Sequence, residues 1–268
     1  MNHCGWIDTH AHLYDSAFDA DRVQIIKQAV NMGVHTMLLP NVDVSTVMAL
    51  HQIVSQFPTH LKPMMGLHPC SVNDEPGTAL SEIEKILFSS PQSYVAIGEV
   101  GLDYYWDKTF ILQQKETFTI QAQWANRLQL PLVIHSRDSI DELIQLLKTS
   151  ARVDYSGVFH CFTGSIQQAH RILDLGFYLG IGGVSTFKNA SIANVIKSIG
   201  LQHVVLETDA PYLAPAPYRG TRNEPSYIPL IAQFLSELCQ LQIEDVAEIT
   251  SSNARKLFNL TTSAHVTR

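Results

Sequence analysis

The chain has 268 residues, 46% hydrophobic and 16% charged, enough apolar material for one large core at a size where an α/β barrel of ~250 residues is a common solution. Its formal net charge of −7 excludes the broad basic surface that holds nucleic acid through counterion release, so any polyanion must be held locally. No run approaches ~20 apolar residues and the opening MNHCGWIDTHAHL lacks a basic and then apolar leader, so neither export nor membrane spanning is expected and a cytoplasmic location is.

In chain order, short apolar runs alternate with amphipathic stretches. Strands are expected at 6–10 (WIDTH), 36–40 (TMLLP), 62–69 (KPMMGLHP), 94–103 (YVAIGEVGLD), 130–136 (LPLVIHS), 156–162 (SGVFHCF), 177–183 (FYLGIGG) and 203–211 (HVVLETDAP). Helical spacing fills the gaps at 22–32, 44–56, 79–89, 112–128, 139–148, 166–175 and 189–199. A helix pair follows at 225–241 and 243–258, one member being the last barrel helix and the other a cap or extension. Eight β–α alternations with helical crossovers mean parallel strands, and eight units close most naturally into a (β/α)8 TIM barrel. No linker divides the chain, so one domain is expected over 1–260 with a short tail at 261–268. The Pro-rich segment 211–225 reads as a long loop after the eighth strand.

Buried parallel strands should be almost wholly apolar. Five of these eight instead carry a metal-competent or acidic residue toward their carboxyl ends, and in a barrel those ends share one mouth. His10 and His12 are two apart, so both side chains can leave one face toward one ion; Asp8 shares their parity and would support them from one layer deeper. His68 ends the third strand and is expected to contact a substrate phosphate. Glu99 lies in the buried run AIGEVGLD and needs either a cation, which it could bridge, or an ion pair such as one with Arg137. His135 and His160 occupy equivalent strand ends; either alone would read as a hydrogen-bonded core histidine, and together they read as ligands. Asp209 follows Val205 and Glu207 at period two, which makes it a ligand or general base with Glu207 below it.

The loops around that mouth carry Arg137, Lys188, Arg219 and Arg222, local cations for flanking phosphates. Tyr104, Tyr105 and Trp106 follow the fourth strand and could either stack on bases or cover the rim. Cys4, Cys70, Cys161 and Cys239 form no C-x-x-C pair and are expected to be free thiols. No nucleophile elbow, P-loop or H-E-x-x-H is present. Four imidazoles and two carboxylates point to two divalent ions, with a donor set better suited to zinc, manganese, nickel or iron than to magnesium.

The motifs IDTHAHL, GLHP, AIGEVGLDYY, VIHSRD, VFHCFTGS and LETDAPYL, in this order, resemble the TatD-type metal-dependent deoxyribonucleases. The resemblance spans residues 6 to about 260. It implies a metallo-dependent hydrolase barrel in which His10, His12 and Asp209 bind one metal, His135 and His160 a second, Glu99 bridges, and His68 contacts phosphate. Magnesium enters as a candidate metal from the same source. The implied activity is a 3'-5' exonuclease on single-stranded DNA, acting as a monomer by a two-metal mechanism. The alternative is an amidohydrolase acting on a small amide, ester or lactone, or an aminoacyl-tRNA deacylase. Binuclear amidohydrolases commonly bridge their metals with a carboxylated Lys, whereas this chain offers Glu99.

Overall fold

The structure is a computed structural model that describes residues 5–149, 155–188 and 191–260. Its strands are β1 Trp6–Asp8, β2 Val34–Leu39, β3 Leu61–Pro63, β4 Ile97–Asp103, β5 Leu132–Arg137, β6 Gly157–Phe159, β7 Tyr178–Ile181 and β8 Val204–Leu206. Helices α1 Arg22–Asn31, α2 Val47–Gln56, α3 Gly77–Ser89, α4 Ile111–Leu128, α5 Ile140–Thr149, α6 Ile166–Leu173 and α7 Ile192–Ile199 alternate with them. The chain continues into α8 Ile228–Cys239 and α9 Ile243–Leu257. This is the expected barrel of alternating strand and helix. Part of the helix expected at 189–199, and the tail at 261–268, lie outside the described residues.

Strands pair in parallel in the orders β1-β2-β3 and β4 through β8. Two seams join these sheets, each made by an isolated bridge. At one, Met65 pairs with Ile97 and the Gly98 N–H donates to the Met65 carbonyl at 3.0 Å. At the other, Ala11 pairs with Ala210, flanked by the Asp209 N–H to the His10 carbonyl at 2.8 Å and the His12 N–H to the Ala210 carbonyl at 2.7 Å. The strands at the seams are shorter than expected: β1 stops at Asp8 and β3 at Pro63, and beyond those points the pairing continues as a few backbone hydrogen bonds around one bridge at each seam.

Strand period decides what faces inward. Ile7, Leu38, Val133, Val158, Tyr178 and Val205 form an apolar inner cluster, closed from below by Ala254 and Leu257 of α9 and by the following Phe258. Asn253 of α9 donates to the Leu201 and Val204 carbonyls at 2.9 and 2.8 Å, and Ser251 to the Gly5 carbonyl at 3.2 Å. Thus α9 plugs the amino end of the barrel, while α8 packs beside α7 in the outer ring. Burial of Phe258 alone, 2% exposed, contributes about 1.5–3 kcal/mol.

Two residues further along the same faces the interior changes character: Val133 leads to His135, Val158 to His160 and Val205 to Glu207. The apolar plug therefore supports a polar layer just above it. Cys70, Cys161 and Cys239 are free thiols, as expected; Cys4 lies outside the described residues. Among the described residues no helix is long and apolar enough to cross a membrane.

A candidate metal centre at the barrel mouth

The chain leaving β1 is held by its own carboxylate. Asp8 is fully buried and accepts from the His10 N–H at 3.2 Å, the Thr208 N–H at 3.0 Å and the Thr208 hydroxyl at 2.6 Å. Burial lifts its pKa to about 8 against the lowering effect of those bonds. Asp8 thereby ties the β1 loop to the β8 loop, and His10 and His12 project from that junction.

Glu99, inside β4 and only 2% exposed, is the hub. Its Oε2 lies 3.1 Å from His10 Nε2 and 3.7 Å from His12 Nε2. Its Oε1 lies 2.7 Å from His160 Nε2, 2.9 Å from His135 Nδ1 and 3.3 Å from His68 Nε2. Burial alone would raise the Glu99 pKa, but His160, His68 and His10 outweigh it and hold the carboxyl well below the ordinary range. Its partners are imidazoles; Arg137, the alternative weighed from the sequence, instead lays its guanidinium over the Tyr105 ring at 4.8 Å. Asp209, in a left-handed conformation with φ 58° that Asp tolerates, brings Oδ1 to 3.4 Å from His12 Nε2 and 3.7 Å from His10 Nε2. Asp209 too is pulled below its usual value: the bond from His12 and the charges of His10 and His160 exceed the effect of burial.

Hydrogen bonds behind the rings fix which nitrogen each presents. Tyr14 donates to the Pro40 carbonyl at 2.7 Å, so its oxygen can accept from His12 Nδ1 at 3.0 Å, leaving the His12 Nε2 lone pair for the cluster. Asp103 accepts from His135 Nε2 at 2.8 Å, so His135 offers Nδ1. Burial, which would raise Asp103, is outweighed by that bond and by the Trp106 and Tyr105 amides, and its pKa falls well below the carboxylate range.

His68 is the opposite case. It caps the turn Pro69–Ser71, and its Nδ1 accepts the Cys70 N–H at 3.0 Å, so the proton sits on Nε2. That nitrogen lies 3.2 Å from His135 Nδ1 as a donor rather than a ligand. One ring nitrogen or carboxylate oxygen from each of His10, His12 and Glu99 lies within 4.8 Å of the others, and the same holds for His68, Glu99 and His135. With its Nδ1 lone pair taken by the Cys70 amide, His68 stays out of the second ligand set.

The donors fit a divalent cation. Lone pairs of His12 and His135 converge on a buried anionic carboxylate, and the Nε2 atoms of His10 and His160 face it too. His160 is raised well above the usual imidazole value, with the effect of burial overcome by Glu99 and Glu207.

The loop residues expected to meet phosphate are placed less uniformly. Arg137 lines a cleft of about 540 Å³ with Tyr104, Ser136 and Thr163 between the loops after β4, β5 and β6. Arg219 lies over the Phe187 ring at 4.4 Å, and Lys188 is exposed. Arg222 is not brought to the cluster. Its guanidinium is engaged by Asp21 at 2.9 and 2.7 Å, by Glu224 at 3.3 Å and by the Ala17 carbonyl at 2.7 Å. Trp106 is 76% exposed and Tyr105 55%, while Tyr104 is half-buried against the core.

Sequence reasoning did not reach Asp103 or Tyr14. Asp103 shares the period-two face of Glu99, a usable signal; Tyr14 lies two residues past His12 and carried none.

A family model described as TatD related DNase matches residues 7–259. An uncharacterized metal-dependent hydrolase of Bacillus subtilis, YabD, is 37% identical over 254 residues, 94% of this chain and 98% of that one. The crystal structure of YjjV, a TatD homolog from Escherichia coli, superposes with a TM-score of 0.89 at 29% identity, covering 96% of this chain and 99% of that one. A TatD family hydrolase of Entamoeba histolytica shares the fold at 23% identity and a TM-score of 0.84, covering 95% and 98%.

Proposed function

The chain belongs to the TatD-related DNase family, and from that premise we propose that it hydrolyses phosphodiester bonds of DNA with divalent metal ions, as a 3'-5' exonuclease on single-stranded DNA. The observation that carries this reading is the ring of imidazoles around Glu99, open to solvent on the Asp209 side, where that side chain is 15% exposed.

His10, His12 and Asp209 would hold one cation and His135 and His160 the other, with Glu99 between them; magnesium, manganese and zinc are the candidates. Ions at such a site neutralise charge on phosphoryl oxygens and acidify water. The chain's own groups do the rest. Asp209 is ionised and accepts or orients the proton of the attacking water. His68, fixed as an Nε2–H donor, gives a hydrogen bond to a phosphate oxygen as negative charge builds there. Asp103 and Tyr14 hold His135 and His12 in the tautomers the site needs.

Arg137 and Arg219 are the local cations for flanking phosphates, which a chain of net charge −7 requires. Arg222 is reassigned to holding the loop after β8, since its donors are engaged there. Scattered free thiols support a cytoplasmic enzyme, and we take the monomer as the working unit.

The test incubates metal-reconstituted wild type, Glu99→Ala and Asp209→Asn with end-labelled single-stranded DNA and resolves the products. Stepwise shortening by wild type alone is expected. Absence of metal-dependent cleavage by wild type, or undiminished cleavage by both variants, would sink the assignment.

A further inference from the structure

Below the ligand cluster lies a second convergence that metal binding does not use. The His10 and His160 rings are stacked, centroids 3.9 Å apart and planes within 7°. Among the described residues, His10 Nδ1, His160 Nδ1 and Glu207 Oε2 are buried atoms without a hydrogen-bond partner. One nitrogen of each ring and one oxygen of Glu207 fall within 4.8 Å of one another, and His160 Nδ1 lies 3.6 Å from Glu207 Oε1.

We propose that Glu207 is a positioning residue whose single carboxylate accepts the Nδ1–H of both His10 and His160, fixing one ligand of each metal position from beneath. The proposal rests on the reading of these two histidines as ligands and extends it. Buried polar atoms left unpaired are costly, and two N–H bonds to one carboxylate satisfy all three orphans at once. They also fix both lone pairs on Nε2, the atoms that lie 3.1 and 2.7 Å from Glu99. A cation in the lower pocket would fit less well. Each ring already turns Nε2 toward the upper site, so ligation through Nδ1 as well would demand two imidazolates.

The surroundings are shaped for a carboxylate in this place. Glu207 is fully buried and its Oε1 also accepts the Cys161 N–H, which anchors it to the residue after His160. A Cβ at position 180 would collide with Glu207 Oε2, so Gly180 on the neighbouring β7 is the space the carboxylate occupies. Glu207 also follows the inward-facing Val205 by two residues, just past β8, one layer above the apolar plug.

The experiment compares zinc-loaded wild type, Glu207→Gln and Glu207→Ala by two readouts: zinc affinity by titration calorimetry, and slowly exchanging imidazole Nδ1–H signals in 15N-edited spectra, assigned with His10→Ala and His160→Ala. Wild type is expected to show both protected protons. Glu207→Ala should lose both and bind zinc about 10- to 100-fold more weakly. Glu207→Gln, nearly isosteric and so the variant to rely on if the alanine form does not fold, has one carbonyl acceptor and should protect a single ring. Unchanged Nδ1–H protection and zinc affinity within twofold in Glu207→Gln overturn the proposal. Failure of wild type to bind zinc or manganese instead overturns the ligand reading on which it stands.

Discussion

His12 Nδ1 and the Tyr14 hydroxyl stand 3.0 Å apart, and because that hydroxyl donates to the Pro40 carbonyl it can only accept from the ring. A phenol two residues away therefore sets the tautomer of a candidate ligand. Tyr14→Phe should weaken divalent-metal binding by about 10-fold, the lower end for loss of a ligand's supporting bond, and cost about 1–3 kcal/mol through the unpaired Pro40 carbonyl. Calorimetric titration and urea unfolding measure the two effects. Unchanged affinity would mean that His12 does not depend on this bond.

His68 separates donors from ligands. With Nδ1 taken by the Cys70 amide, it should act on the reaction and not on the metal. His68→Ala is expected to lower kcat by about 10²- to 10³-fold, the size typical of a lost oxyanion donor, while metal content stays that of wild type. Loss of one metal equivalent in this variant would contradict the tautomer assignment.

Trp106 is 76% exposed on a turn whose Tyr105 and Trp106 amides both donate at 2.9 Å to Asp103, the carboxylate that also holds His135. A large aromatic presented so close to the site is suited to stacking on a base. Trp106→Ala should raise KM for oligonucleotides by roughly 5- to 150-fold, from about 1–3 kcal/mol of stacking per base. Hydrolysis of bis(4-nitrophenyl) phosphate, which has no base, should be unaffected; an equal loss on both substrates would argue against stacking.

Arg222 and Asp21 predict an acid dependence of loop anchoring. The bond from Arg222 holds Asp21 below its ordinary value of 3.8, so the contribution is complete above the unfolded-state pKa and is lost as pH falls through the lower folded one. Arg222→Ala should accordingly be less stable than wild type at neutral pH, with the gap closing in acid. Urea unfolding from pH 7 down to the acid limit of the native state follows it; a gap independent of pH would assign the effect to packing on Phe18.

The barrel and the placement of its histidines were legible because both follow from period. Apolar runs of strand length marked the eight units, and a polar residue two positions beyond an inward Val, as with Val133 and His135 or Val158 and His160, stood out against its surroundings. The supporting bonds were not legible, since they depend on which ring nitrogen faces the cluster. Asp103 reads as one more acidic residue until His135 is seen to present Nδ1. Arg222 reads as a loop cation until Asp21, 201 residues earlier, is found against it. Glu99 was expected near a strand end and lies within β4, surrounded by rings from four other strand ends, a density of contacts that no linear spacing encodes.

The two seams of the barrel give the proposed ligand set a second office. Ladders join β1 to β3 and β4 to β8, while the sheets meet at two short hydrogen-bonded seams, at Met65 with Ile97 and Ala11 with Ala210. His10 and His12 follow β1 of the smaller sheet; Glu99 and His135 lie in β4 and β5 of the larger, and His160 and Asp209 follow its β6 and β8. Coordination by this set would fasten the two staves of the barrel across their seams, so the metal would work as a clasp as well as a reagent. The loaded protein should then resist opening along those joints in proportion to how tightly it holds its ions, by about 2.7 kcal/mol at a hundredfold excess over Kd, and chelation should loosen the mouth before it disturbs the plug formed by α9 and Phe258.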